Sequence, residues 1–427
     1  MSDEVPLSAQ QEAFLAWMDG PDGLRHPAPV TVALRITDEL DPDLLGAALA
    51  HVVARHEALR TVFCGAGRRR PVVLGDRPPE IRRVAAAGED AGERLAHARV
   101  LALAERDRPF DLADGPLLRA TVIRVADRDQ VLLLAVHHLV FDAWSMGPLL
   151  RDLGVAYSAL RAGRPVRSGP VLPASEVVRR SRERWPDNRA AWDEALAGAP
   201  AALEIFPGRE PADEVRPRSH DFTIGREAAA GVARVARAAS ATPFAVLLSA
   251  WSAVLSSWSG ATDIVLLSPA AARTLPGSEN AIGCLFSSLL IRVDLAGQPE
   301  FGELLRRTRT AILDAHARQD YPYAEYAARF PYAPCLGYYS WHVPPHLPGL
   351  DSTAFDLPPT LVDDLDTPGS GLSTPQLCVF EQQGEPMAAR LDFNAAAFDE
   401  PTVEDLAEDL TAFVTDLSAH TIEASDV

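Results

Sequence analysis

The feature that most constrains this chain is an apolar run over residues 131–136 that delivers two adjacent histidines, His137 and His138, with Asp142 four residues after the second. The run reads as a strand ending in a loop that carries chemistry. Neighbouring strand side chains point to opposite faces. The two histidines therefore share a cleft only where the strand has already broken, and one of them anchors while the other acts. Beyond Asp142 the pattern turns helical, with Ser145 as N-cap, Leu149, Leu150, Leu153 and Tyr157 at three- and four-residue steps, and Gly163 past the end. A strand, a histidine loop and a helix start form a layout that serves chemistry.

The rest of the chain supplies layers for such a sheet. Helices are predicted over residues 41–59, with Asp41 as cap and Pro42 first, over 243–258, with Thr242 as cap and Pro243 first, and over 301–317. Strands are predicted over 30–36, 118–125, 131–136, 264–268 and 289–295. This irregular alternation fits an α+β fold, mixed sheets with helices packed on them, better than a doubly wound parallel sheet. Between about residues 164 and 218 periodicity weakens and prolines accumulate, which marks a connection between two halves.

Composition excludes several classes of function. The 427 residues are 47% hydrophobic, enough for two cores, and 59 acidic against 40 basic residues give a net charge of -19. Such an excess disfavours nucleic acid or an anionic membrane as partner, since both need a basic face. Every basic residue is arginine; Arg68-Arg69-Arg70 reads as an exposed hairpin tip rather than a site for a phosphate or an acidic carrier, and Arg179, Arg180, Arg182 and Arg184 are discounted in the same way. Cys64, Cys284, Cys335 and Cys378 lie far apart without a CxxC pair, so buried thiols are expected rather than a disulfide framework. Cys335, His342 and His346 lack a second ligand pair, and no metal is expected. The N-terminus has no basic-then-apolar leader, and the longest apolar stretch is seeded with serines and too short for a bilayer, so a cytoplasmic protein is expected.

The flanking segments resemble the condensation-domain superfamily of nonribosomal peptide synthetases, the HHxxxDG acyltransferases related in fold to chloramphenicol acetyltransferase. Leu7-Ser8-Ala9-Gln10-Gln11 with Trp17 is similar to the opening SxAQ motif, and Arg55-His56-Glu57-Ala58-Leu59-Arg60-Thr61-Val62-Phe63 to RHExLRTxF. Residues 281–292 resemble IGxFVNTLxLR, residues 319–323 resemble HQDxPFE, and Pro269 and Arg273 follow the 260–265 segment as in the family. The resemblance runs nearly end to end. It implies two chloramphenicol-acetyltransferase-like lobes in a V-shaped pseudo-dimer: an N-terminal lobe over 1–175, a connecting segment over 176–216 and a C-terminal lobe over 217–427. The proline-rich span 343–375 reads as disorder on composition and, on the resemblance, as a crossover back to the N-terminal lobe.

The resemblance also assigns roles. Thioester acyl transfer needs a nucleophile freed of its proton, donors for an oxyanion and a shaped channel. Histidine is the side chain whose charge changes near neutrality; the family's second histidine, here His138, takes the acceptor proton or orients the acceptor, and His137 is structural. Asp142 either orients the histidine as in a triad or, as the family pattern implies, pairs with Arg273 of the other lobe. The N–H groups of Ala143 and Trp144 are placed to meet an oxyanion, with Ser145, Ser287 and Gln376 beside the channel. Alanine at 143 departs from the family's glycine, so either the backbone there is ordinary or the channel is pinched. Ser287 and Gln376 depart from the family's asparagine and aspartate.

No carrier attachment site, adenylation loop or thioesterase elbow is found within the sequence. The expected protein is a free-standing condensation enzyme with no bound cofactor. It would receive phosphopantetheine-linked acyl or aminoacyl groups from a carrier protein in trans and pass them to a small-molecule or carrier-bound amine or hydroxyl. The alternatives are a catalytically silent docking module that recruits a tailoring enzyme to a carrier, and a coenzyme-A-dependent acyltransferase. Epimerisation is disfavoured because an EGHGRE-like motif is missing.

Overall fold

The computed structural model describes residues 5–19, 27–65, 69–75, 77, 79–205, 216–330, 333–341, 345–357, 374–382 and 384–419. Contacts divide the chain into two units that interleave in sequence: one comprises Met1–Glu183, Ala271–Phe286 and Pro344–Asp363, the other Arg184–Ala270, Ser287–Val343 and Asp364–Val427. The architecture is α+β, as the irregular pattern implies. The expected continuous lobes differ from these units in two respects: residues 271–286 group with the first, and the expected connecting segment is divided between the units at Glu183 and Arg184.

In the first unit a mixed five-stranded sheet has the order β11-β1-β6-β5-β4. Its strands are β1 (Val30–Ile36), β4 (Glu80–Ala85), β5 (Leu118–Ala126), β6 (Asp129–Val136) and β11 (Ser352–Ala354). All pairings are antiparallel except β4 with β5. The apolar run lies in the central strand β6, and both faces of that strand are buried, which explains why it does not alternate. Val131 and Leu133 on one face join Ile123, Ala98 and Ala102 under α3 (Ala91–Arg106), while Leu132, Leu134 and Val136 on the other face are equally buried. A two-stranded hairpin pairs β2 (Thr61–Cys64) with β3 (Arg70–Val73), and Arg69 and Arg70 lie at the start of its second strand; residue 68 of the arginine run lies outside the described residues. Of the proline-rich span, residues 352–354 form an ordered edge strand on β1; residues 342–344 and 358–373 lie outside the described residues.

Three helices frame the histidine loop: α1 (Ala9–Met18), α2 (Pro42–Arg55) and α4 (Met146–Arg161). The predicted cap of α2 is present, Asp41 accepting from the N–H groups of Asp43 and Leu44. At the far end of α2, His56 Nε2 lies 2.8 Å and Arg55 Nε 2.9 Å from the Asp152 carboxylate of α4. Burial raises the Asp152 pKa, but these two donors outweigh it and hold the carboxyl down at about 2. A depressed folded pKa gives stabilisation that is complete above about pH 4 and lost as pH falls through about 2. Wild type is therefore expected to lose its stability advantage over Asp152→Asn across that window in acid unfolding titrations; an advantage unchanged down to pH 2 would contradict the pairing.

The second unit holds α5's successor α6 (Trp185–Ala195), α5 itself (Ala174–Glu183) closing the first. Its mixed sheet has the order β10-β12-β13-β7, built from β7 (Pro217–Ile224), β10 (Leu336–Trp341), β12 (Gln376–Gln382) and β13 (Met387–Asn394). A second pair, β8 (Asp263–Ala270) with β9 (Ser287–Asp294), is bridged to the region before β10 through Leu267 and Cys335. One large core gathers apolar residues of α7 (Arg226–Ala238), α8 (Pro243–Ser259), α9 (Phe301–His316) and α11 (Glu400–Ala419), with the short α10 (Ala324–Ala327) at its margin. Thr242 caps α8 and Pro243 opens it, as predicted. Among the described residues no single helix is long and apolar enough to cross a membrane; α7 and α8 together have the length but are bent by 108°, and their apolar faces are buried.

Candidate active site

Strand β6 ends at Val136, and the chain breaks into a single 3-10 turn over His138–Val140. The break has a local cause. His137 donates its N–H to Leu117 at 2.9 Å, the last ladder bond, while its Nδ1 accepts from the N–H of Leu139 at 3.1 Å. That acceptor role places the neutral ring's proton on Nε2. The His137 ring stands edge-on to Phe110 at 5.6 Å, and Phe110 carries the Arg119 guanidinium 3.7 Å over its face. His137 is thus tied to scaffold on two sides.

His138 is disposed differently. It is buried against Phe14 and Phe286, with ring centroids 5.1 and 5.2 Å away, and among the described residues its Nδ1 has no hydrogen-bond partner. Among the described residues no hydrogen bond reaches its Nε2 either. The imidazole is held by packing and left available for a proton.

Asp142 does not reach it. Its Oδ1 accepts from the N–H and hydroxyl of Ser145 (3.0 and 2.7 Å) and from Arg273 Nη2 (2.9 Å). Its Oδ2 accepts from the N–H groups of Leu285 and Phe286 (3.0 and 3.1 Å) and from Arg273 Nη1. Both side chains of the ion pair are 2% exposed. The structure therefore brings Asp142 and Arg273 together in a saturated network, which removes the triad alternative. Arg273 sits in the 271–286 segment, so this pair is internal to the first unit rather than a tie to the other lobe.

Asp142 also corrects the start of α4. It, not Ser145, caps the turn Ala143–Ser145 that leads into the helix. Ser145 is fully buried, its hydroxyl accepting from Gly283 N–H and Arg273 (both 3.1 Å) besides donating to Asp142. It braces the ion pair and offers nothing to a channel. Ala143 lies in an ordinary right-handed turn, absent from the positive-φ residues, so alanine carries no strain. Ala143 and Trp144 are exposed, and their N–H groups find no acceptor among the described residues. Trp144 is oriented by its indole N–H donating to Glu279 O at 2.9 Å.

The condensation-domain family model matches residues 1–330. The chain belongs to the condensation-domain family of nonribosomal peptide synthetases. It is 36% identical over 337 residues to malpibaldin synthetase of Mortierella alpina, covering 75% of this chain and 6% of that protein. It is 31% identical over 429 residues to malpinin synthetase of the same organism, covering 94% of this chain and 5% of that protein. The chain thus spans about one-twentieth of the length of these curated relatives. Among solved structures it is similar to the SgcC5 protein from Streptomyces globisporus, with 25% identity, a TM-score of 0.77 and coverage of 98% of this chain and 99% of that one. It also shares the fold of the X-domain from teicoplanin biosynthesis, with 23% identity, a TM-score of 0.76 and coverage of 100% and 98%.

In this condensation domain two further expected residues belong to the second unit. Ser287 opens β9 directly after Phe286, and Gln376 opens β12, buried, with Oε1 lacking a partner among the described residues. Several contributors escaped sequence reading. Ser8 and Gln11 of the opening motif form a capping box on α1, and they also donate to Cys284 O and Leu139 O, each at 2.7 Å. Cys284, near the ion pair, is buried, and burial reinforced by the Asp142 charge raises its thiol pKa. Among the described residues no cluster of histidine, cysteine and carboxylate side chains could hold a metal ion, and His342 lies outside them.

Proposed function

We propose that this condensation domain transfers an acyl or aminoacyl group from the phosphopantetheine thioester of a carrier protein to an amine or hydroxyl acceptor. The observation that carries the reading is the division of labour in the loop: Asp142 is consumed by six donors, while among the described residues the buried Nδ1 of His138 has no partner and no hydrogen bond reaches its Nε2. The acceptor's lone pair attacks the thioester carbon. The oxygen of the tetrahedral adduct gathers negative charge, for which the N–H groups of Ala143 and Trp144 at the start of the α4 turn are the donors. His138 takes the acceptor's proton through Nε2 and returns it to the departing thiolate, so that one C–S bond breaks, one C–N or C–O bond forms and no cofactor is consumed. Because Asp142 does not touch the ring, His138 acts without a triad partner.

The donor arrives on a carrier outside these 427 residues, which contain no carrier attachment motif. The test presents one acyl group in two forms, on a phosphopantetheinylated carrier and on coenzyme A, with a panel of amines and alcohols. Product from the carrier-bound donor, at a higher rate than from the coenzyme A ester, is expected. Preference for the coenzyme A ester would assign a small-molecule acyltransferase. No product across the panel, together with measurable carrier binding, would replace catalysis by docking.

A further inference from the structure

We infer that His138 is held in its reactive orientation by an aromatic clamp of Phe14 and Phe286, and that Asp142 serves the histidine indirectly, by setting one jaw of that clamp. The inference rests on the proton-handling role proposed for His138. A histidine that moves a proton usually has its second nitrogen fixed by a carboxylate or carbonyl. Here that nitrogen, Nδ1, is buried and unpartnered among the described residues. A carboxylate offers about four lone-pair positions, and Asp142 already receives six donors, so none is left for the imidazole.

What fixes the ring is packing. Phe14 and His138 lie 5.1 Å apart at 55°, His138 and Phe286 5.2 Å apart at 44°, and the two phenylalanines close the triangle at 6.1 Å. All three separations fall within the range of favourable aromatic pairs. Each jaw is tied to the scaffold by hydrogen bonds. Phe14 rides on α1, which is fastened to the histidine's own turn through Gln11 to Leu139 O and to the 281–286 segment through Ser8 to Cys284 O. Phe286 is registered by its N–H donating to Asp142 Oδ2 at 3.1 Å. Phe14 is buried and Phe286 half-buried. Phe14 and Phe286 are positioning residues; neither carries a proton.

The test pairs kinetics with histidine NMR on the full chain, the His138 signal being identified by its loss in His138→Ala. Rings at these distances displace the imidazole carbon-bound proton resonances by ring current. Phe14→Leu and Phe286→Leu are each expected to move the His138 resonance toward its ordinary position and to lower kcat about 10- to 100-fold with KM unchanged. Phe286→Tyr, which keeps a ring, should restore both. Phe110→Leu, whose ring packs on His137, should leave the His138 resonance in place. Leucine variants with an unmoved resonance or full kcat, while His138→Ala is inactive, would overturn the clamp and leave the proton-handling role intact. A His138→Ala variant that keeps turnover would overturn that role instead. Should Phe14→Leu fail to fold, as a melting curve would show, the half-buried Phe286 decides the matter.

Discussion

Asp142→Ala is expected to destabilise the protein by about 3–5 kcal/mol, because it leaves a buried arginine without its counter-charge. The cost has more than one source. Besides Arg273, the N–H groups of Leu285 and Phe286 and both donors of Ser145 lose their acceptor in a region closed to water, and each buried donor left unmade adds to the penalty. Arg273→Ala should cost a comparable amount, since it strands the carboxylate. In a double-mutant cycle the two substitutions together should cost much less than their sum, the coupling being strong for side chains in direct contact. Denaturant unfolding followed by tryptophan fluorescence supplies the four stabilities. Strict additivity would contradict the pairing, whereas loss of turnover with unchanged stability would return Asp142 to a role in chemistry.

The same network shows where sequence reading reached its limit. The strand, the break after it and the helix beyond Asp142 were legible because each follows from local pattern: six apolar residues, a polar interruption, then an apolar stripe at helical spacing. The caps Asp41 and Thr242 were legible for the same reason. Ser145 does hold the N-cap position of α4, but its side chain makes no capping bond there, because a 3-10 turn precedes the helix and moves that function back to Asp142. The expected cap hid the burial of Ser145 and gave it a channel role. The membership of residues 271–286 in the first unit was illegible because it depends on contacts more than 130 positions apart, such as Gly283 with Ser145. Phe14 and Phe286 gave no signal either. Each reads as one apolar residue in an apolar stretch, and only the fold brings both against His138.

Removing the imidazole tests the account at its centre. His138→Ala deletes the group proposed to move the acceptor proton while sparing the Asp142 hydrogen bonds, none of which is to the ring. A general base contributes about 10²–10⁴-fold to rate, and a histidine that both accepts the proton and orients the acceptor stands at the upper end. The ring is buried against two phenylalanines, so its loss has a stability cost from the cavity, and a melting curve must accompany the kinetics. The decisive measurement is product formation from a loaded carrier by wild type and His138→Ala, both verified as folded. A folded variant whose turnover falls by about 10³-fold or more is the predicted result; a folded variant that retains near wild-type turnover would contradict the assignment of the reaction to His138.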